Sequence, residues 1–236
     1  MRYLDLLEKC LTNTIYRDPP CDPTLATVFH WTQRINGRDW PSQAHTMIGC
    51  KRIHQLREAC ETVLREDIEG DFIETGVWRG GACIMMAAVL AEYGEGYSKG
   101  RKVWCADSFK GLPNTGESNL HVYPQLSVSK DEVRRNFAKY GLLSDNIRFL
   151  EGWFADTLPT APIEKLAILR LDGDLYTSTM TSLDSLYHKV SKGGFVIVDD
   201  YRSIAGCGEA VDTFMDKKGI HPTLIPIDKD SVYWRV

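Results

Sequence analysis

Two acidic clusters in this 236-residue chain could do chemistry together: Leu171-Asp172-Gly173-Asp174-Leu175-Tyr176 and Val198-Asp199-Asp200-Tyr201. Each follows an apolar run, 166–171 and 194–198, with the length and composition of a buried strand. Four carboxylates at the ends of adjacent strands repel one another unless something cationic lies between them. A hard divalent cation with oxygen ligands, Mg²⁺ or a relative, resolves that repulsion. Alternate residues of an extended strand are about 6.6 Å apart, so Asp172 and Asp174 do not easily share one small ion while the strand stays extended. One then ligates and the other does something else. Asp199 and Asp200 point to opposite faces inside a strand, so both ligate only where the chain is already turning. The bland alternative is a set of solvated loop acids and helix caps, a reading that suits any one of these residues better than it suits all four.

Three more strand ends carry motifs. The run 71–75 leads into Glu74-Thr75-Gly76-Val77-Trp78-Arg79-Gly80-Gly81, after which a helix begins near Ala82. Glycines here let the chain turn sharply and let a ligand approach the backbone, with helix N–H groups facing it. Trp78 stands where a dinucleotide loop has its second glycine, so the loop suits an adenosine without a pyrophosphate, such as S-adenosylmethionine; a plain βα turn is the alternative. The run 102–106 ends at Asp107-Ser108-Phe109, and Asp107 there either accepts both hydroxyls of a ribose or caps the turn. The run 147–150 ends at Gly152-Trp153-Phe154, placing two aromatics where an adenine would lie or, equally, in the core. The segment 111–128, rich in Gly, Pro, Asn and Ser, reads as a lid or as an ordinary surface loop. The six histidines show no metal spacing, and no GxSxG elbow is present.

Short apolar runs alternating with helical patterns near 80–93, 130–140, 178–190 and 207–218 predict βαβ units, hence an α/β protein with a mainly parallel sheet. Two further runs, 223–227 and 232–235, lie too close for a helix between them and predict an antiparallel hairpin at the end of a seven-stranded sheet. Ligands on such sheets bind at the carboxyl ends of the strands, around the switch point. Ahead of the sheet, 3–16 and the segment holding Ile53, Leu56, Cys60, Val63 and Leu64 read as helices, and 18–48 as irregular cover containing Phe29, Trp31 and Trp40. The expected division is a helical and lid segment, 1–66, followed by the catalytic domain, 67–236.

Composition closes off several classes. The net charge of −4 argues against a nucleic-acid partner, which needs a clustered basic excess. No run approaches the ~18 apolar residues of a membrane span. Asp5, Glu8 and Lys9 interrupt the apolar start, unlike a signal peptide. Seven cysteines without a CxxC pair fit reduced thiols, so a cytoplasmic setting is expected.

Taken in order, several of these motifs resemble the macrocin O-methyltransferase (TylF-type) family, which methylates sugar hydroxyls on antibiotics. The matching residues are Thr46-Met47-Ile48-Gly49, the Glu74–Gly81 loop, Asp107-Ser108-Phe109-Lys110-Gly111-Leu112-Pro113, Leu169–Tyr176 and Gly193–Tyr201. The resemblance implies a class I methyltransferase (Rossmann-like) fold, S-adenosylmethionine as donor and Mg²⁺-dependent O-methylation. It implies Asp172, Asp199 and Asp200 as metal ligands and Asp174 as general base. The donor pocket would then draw on Thr46, Met47, the Glu74–Arg79 stretch, Asp107, Ser108, Phe109, Gly111, Gly152, Trp153, Phe154 and Asp172. The acceptor is a small molecule, a glycosylated natural product or a nucleotide sugar, covered by 18–45 and 111–128, and a homo-oligomer is expected. Two rivals stand beside this: a glycosyltransferase using the Asp-x-Asp motif, for which only Arg79 and Lys110 offer a pyrophosphate cradle, and a non-catalytic adenosine-binding module.

Overall fold

The computed structural model describes residues 2–22, 27–94, 96 and 100–236. The run Leu166–Leu171, apolar but for Arg170, forms β4, buried along its whole length at the middle of the sheet. It is flanked in parallel by β1 (Asp71–Thr75) and β5 (Val190–Val198). Outside β1 lie β2 (Val103–Asp107) and then β3 (Ile147–Glu151), both parallel. Outside β5 lie β7 (Val232–Arg235) and β6 (Ile225–Pro226), both antiparallel to their neighbours. The order β3-β2-β1-β4-β5-β7-β6 is the seven-stranded, hairpin-ended sheet that the sequence predicts, with its direction of growth reversing between β1 and β4. Such a reversal opens a crevice at the strand ends. The predicted strand 223–227 shortens to two residues, in keeping with Pro226, which cannot donate to a ladder and sits on the sheet edge.

Helices α1 (Arg2–Leu11), α2 (Trp31–Ile35), α3 (Gly49–Arg65), α4 (Gly81–Tyr93) and α5 (Lys130–Lys139) precede β3. The short α6 (Phe154–Thr157), then α7 (Tyr176–Leu186) and α8 (Ala205–Lys218), follow it. Two apolar clusters lie against the two faces of the sheet. One joins α1, α3, α4 and α5 to it; the other joins α7 and α8. The sequence of α4, GACIMMAAVLAEY, is apolar on every side, and Gly81 through Leu90 are all buried. A helix of that kind needs cover all round. Leu4, Leu7 and Leu11 of α1 and the apolar face of α3 help provide it, within the same core as the sheet. Among the described residues no helix is long and apolar enough to cross a membrane.

Two predicted bounds change. The first helix stops at Leu11 rather than 16, because Asn13 turns into the left-handed region (φ 47°) and ties its side chain to Asp18. The segment 18–48 contains α2, and its organiser is a buried arginine that no apolar period reveals. Arg34, 1% exposed, donates to both Asp39 oxygens, to Asp18 and to the carbonyls of Thr12 and Asp18.

At the crevice the backbones themselves touch. A Cβ built on Gly76, just past β1, would lie 1.8 Å from the carbonyl oxygen of Asp172, just past β4. Only glycine fits there, and its φ of 95° is also one that L side chains avoid.

Candidate active site

The carboxyl ends of β1 to β5 open into a cavity of about 520 Å³, large enough for an adenosyl ligand beside a small acceptor. On one side it is built by the turn after β1. Gly76, Trp78 and Gly80 all have positive φ, and they curl the chain so that Val77 donates its N–H to Asp107 Oδ2 at 2.7 Å. Phe109 donates to the other Asp107 oxygen, also at 2.7 Å. Asp107 thus ties the β1 and β2 ends together, while a carboxylate keeps lone pairs on both oxygens for further donors. Burial pushes its carboxyl up, against those N–H bonds.

Thr46, Met47, Glu74, Gly76, Val77, Trp78, Asp107, Ser108, Gly111, Gly152, Trp153 and Phe154 all line the cavity, as do the four aspartates. Three residues of the expected donor pocket are placed elsewhere. Thr75 is buried against the β4 backbone, its hydroxyl facing the Arg170 carbonyl. Arg79 lies over the Trp78 ring and donates to the carbonyls of Pro41 and Ala44, holding the N-terminal cover. Phe109 packs on Phe149. Glu74, though it lines the cavity floor, gives its carboxylate to Arg170 and to the Cys83 thiol, and burial raises it to about 8.

The two expected cover segments meet beside the cavity, which Trp40 lines. Trp40 and Tyr123 pack edge to face, with ring centroids 5.1 Å apart. Trp78 Nε1 donates to the Gln125 carbonyl, and Glu117 accepts from the backbone N–H and hydroxyl of Thr177 at the start of α7.

The acids are arranged differently from the spacing argument. Strand β4 ends at Leu171, and Asp174 has a φ of 62°, so the chain is turning where an extended strand was assumed. Carboxylate oxygens of Asp172, Asp174 and Asp200 come within 4.8 Å of one another. Asp199 stands apart from that trio, 3% exposed, with one oxygen against Arg170 and the other against Arg52. Arg170 also reaches Glu74 and Asp172, each at 2.6 Å. Burial works against its charge, but Asp172, Asp199 and Glu74 more than offset that and keep it cationic. Burial, then Asp172, pushes Asp174 up to about 7. Burial, then Asp199 and Asp174, pushes Asp200 well above the usual carboxylate range.

Arg170 and Arg52 were missed as functional residues from sequence. Arg170 had a signal, since it is the one charge in the apolar run LAILRL. Arg52 had none, being one of several cations on an amphipathic helix.

The comparisons with known proteins show the family. The macrocin-O-methyltransferase (TylF) family profile matches residues 19–236. Demethyldecarbamoylnovobiocin O-methyltransferase of Streptomyces niveus is 49% identical, over 99% of this chain and 92% of that protein. An O-methyltransferase of Streptomyces olivaceus that acts at the 4′ position of 8-demethyl-8-(2,3-dimethoxy-α-L-rhamnosyl)-tetracenomycin C is 48% identical, over the same shares. The solved structure of the O-methyltransferase NovP superposes with a TM-score of 0.93 at 50% identity, covering 99% of this chain and 97% of its own. The chain is therefore a member of the macrocin O-methyltransferase family, an O-methyltransferase whose methyl donor is S-adenosylmethionine.

Proposed function

We propose that this enzyme methylates a hydroxyl on the sugar of a glycosylated natural product, with a divalent cation, Mg²⁺, at the acidic cluster. The observation that carries the reading is the convergence of Asp172, Asp174 and Asp200, with Asp199 also lining the site, at an adenosine-sized cavity. Two guanidinium groups, Arg170 and Arg52, do not balance four carboxylates, and Arg52 is shared with Asp228 and Asp230 as well. Once the cluster ionises, excess negative charge remains, lined by hard oxygen donors, which suits Mg²⁺ or Mn²⁺ rather than a soft metal. Asp172, Asp199 and Asp200 would hold the ion. Asp199 can do so while paired, because its two oxygens together offer about four lone-pair directions and the arginines engage two.

Each residue then has a task. Asp107 accepts from the ribose of the donor, and Trp153 and Phe154 flank its adenine. The contact between Gly76 and Asp172 holds donor and acceptor sides at a fixed separation. In-line methyl transfer needs the acceptor oxygen opposite the sulfur, roughly 3 Å from the methyl carbon. An ion held there by Asp172, Asp199 and Asp200 would supply a lowered hydroxyl pKa, which a sugar alcohol needs at neutral pH. Asp174 takes the proton that leaves.

A glycosylated acceptor fits better than a nucleotide sugar. The cavity lining offers one guanidinium, Arg52, already engaged by three carboxylates, and no lysine, so a pyrophosphate finds no cradle among the described residues. Seven unpaired cysteines favour the cytoplasm as its setting. The test is mass-spectrometric detection of methyl transfer from S-adenosylmethionine. Demethyldecarbamoylnovobiocin, the demethyl tetracenomycin glycoside and a thymidine-diphosphate sugar serve as acceptors, each with Mg²⁺ and with EDTA. Methylation of a glycoside that EDTA abolishes is expected. Methylation confined to the nucleotide sugar would overturn the acceptor reading, and turnover undiminished by EDTA would overturn the metal.

A further inference from the structure

The turn between β6 and β7 looks from sequence like a plain hairpin connection, yet it reaches the active site. Antiparallel pairing sets Val232 opposite Val198, so residues 228–231 lie alongside the acidic turn 199–202. Asp228 Oδ1 accepts the N–H groups of Asp230 and Ser231 at 2.8 and 2.9 Å, which fixes the turn. Ser231 donates its hydroxyl to the Asp199 carbonyl, and Arg202 donates its N–H to the Asp230 carbonyl at 2.9 Å. Arg52, 6% exposed, inserts into this turn: Nε to Asp228 at 2.7 Å, Nη2 to Asp230 at 3.3 Å, Nη1 to Asp199. From outside, Arg38 donates to both Asp230 oxygens, at 2.9 and 2.7 Å. Arg38 lies between Gly37 and Trp40, which line the cavity from the N-terminal cover.

We infer that Arg38, Asp230 and Arg52 are positioning residues which tie the acceptor cover to Asp199, so that the seating of the cover and the orientation of the catalytic acids are set together. None of the three has to touch the reacting atoms. The charges alternate along the line Arg38, Asp230, Arg52, Asp199 and Arg170, so each carboxylate is oriented by guanidinium forks rather than by a single contact. Loss of Arg38 leaves Asp230 with Arg52 alone and frees the turn whose main chain holds Arg202. The disturbance therefore crosses from the cover to the acids through residues that Arg38 does not contact.

The inference rests on the acceptor reading above only for its kinetic arm. Arg38 is partly exposed, so Arg38→Met should fold, with Arg38→Lys as the conservative variant. With demethyldecarbamoylnovobiocin as acceptor, Arg38→Met should raise the acceptor KM about 3- to 10-fold and lower kcat by a similar factor, while the S-adenosylmethionine Kd changes less than about twofold; a raised KM with kcat untouched would overturn the tie. Arg38→Lys should recover most of the loss. Asp230→Asn should show the same KM effect, and the double variant should fall well short of the sum. Hydrogen exchange needs no acceptor: in Arg38→Met, peptides covering 199–204 should exchange faster along with those covering 37–42. Faster exchange confined to 37–42, or additive KM effects, would overturn the tie. Wild type that methylates none of the acceptors would sink the acceptor reading, and exchange would still decide the tie.

Discussion

Asp172 and Asp174 present carboxylate oxygens within 4.8 Å of each other although an extended strand would hold them farther apart. The cause is local: β4 ends one residue before Asp172, and Asp174 adopts a left-handed backbone conformation. The two acids consequently share one space while differing in surroundings, since Asp172 is paired with Arg170 and Asp174 has burial and Asp172 raising it. Asp174→Asn should therefore lower kcat by roughly 10²–10⁴ with little change in the Mg²⁺ concentration for half-maximal rate. Asp172→Ala, by contrast, should raise that concentration about 10-fold or more. Rescue of Asp174→Asn by excess Mg²⁺ would make Asp174 a ligand.

The raised carboxyls predict how metal-free stability follows pH. Asp174 moves from an ordinary 3.8 to about 7 in the fold, and Glu74 from 4.5 to about 8. Below these ordinary values both states hold the proton and folding is not penalised. As pH rises through the gap, the unfolded chain ionises first, so stability falls from about pH 4 towards 8. Binding of Mg²⁺ to the ionised cluster, as proposed, should reverse the fall. Calorimetric Tm values in EDTA and in MgCl₂ should diverge between about pH 5.5 and about pH 8. Equal Tm values at the upper pH would show that the cluster holds no ion.

Asp107 carries a prediction on the donor side. Asp107→Ala removes an acceptor for ribose and also unties the Val77 and Phe109 amides, so S-adenosylmethionine should bind about 10- to 100-fold more weakly. Titration calorimetry in EDTA reads this without interference from the acidic cluster. An unchanged Kd would place the ribose elsewhere.

Trp40 tests the cover. Trp40→Ala should raise the acceptor KM several-fold while leaving the donor Kd alone, because its ring lines the cavity and packs on Tyr123 of the other cover segment. Weakened donor binding instead would assign Trp40 to the adenosyl pocket. Removing all of 1–40 is a different experiment. Leu4, Leu7 and Leu11 sit in the core that covers α4, so that truncation should unfold the chain. Leu11→Ala alone should cost about 2–5 kcal/mol in a denaturant titration.

The sheet was legible because its strands are short apolar runs between turn residues, and β1, β4 and β7 fall where the periodicity puts them. The four aspartates were legible because strand ends are where such sheets bind ligands. The roles within that group were less so, since one left-handed residue, Asp174, defeats an argument that assumes an extended chain. Arg34 and Arg52 were invisible for a related reason. Arg34 breaks no apolar period although Asp39 and Asp18 lie only 5 and 16 positions away, and Arg52 reaches Asp230 178 positions on, a bond no window of sequence contains. The turn at 228–231 shows the same limit, as its three carboxylate contacts exist only once β7 lies beside β5.

The contact between Gly76 and the Asp172 carbonyl has a bearing on how such enzymes diversify. Because main chain meets main chain there, the separation of the proposed donor and acceptor sides would be inherited with the backbone rather than tuned by side chains. The cover, held by side-chain pairs such as Trp40 with Tyr123, is free to be resculpted around new glycosides. On the proposed site, acceptor choice and reaction distance would thus sit on separate parts of the molecule, and selection could alter the first without having to rediscover the second.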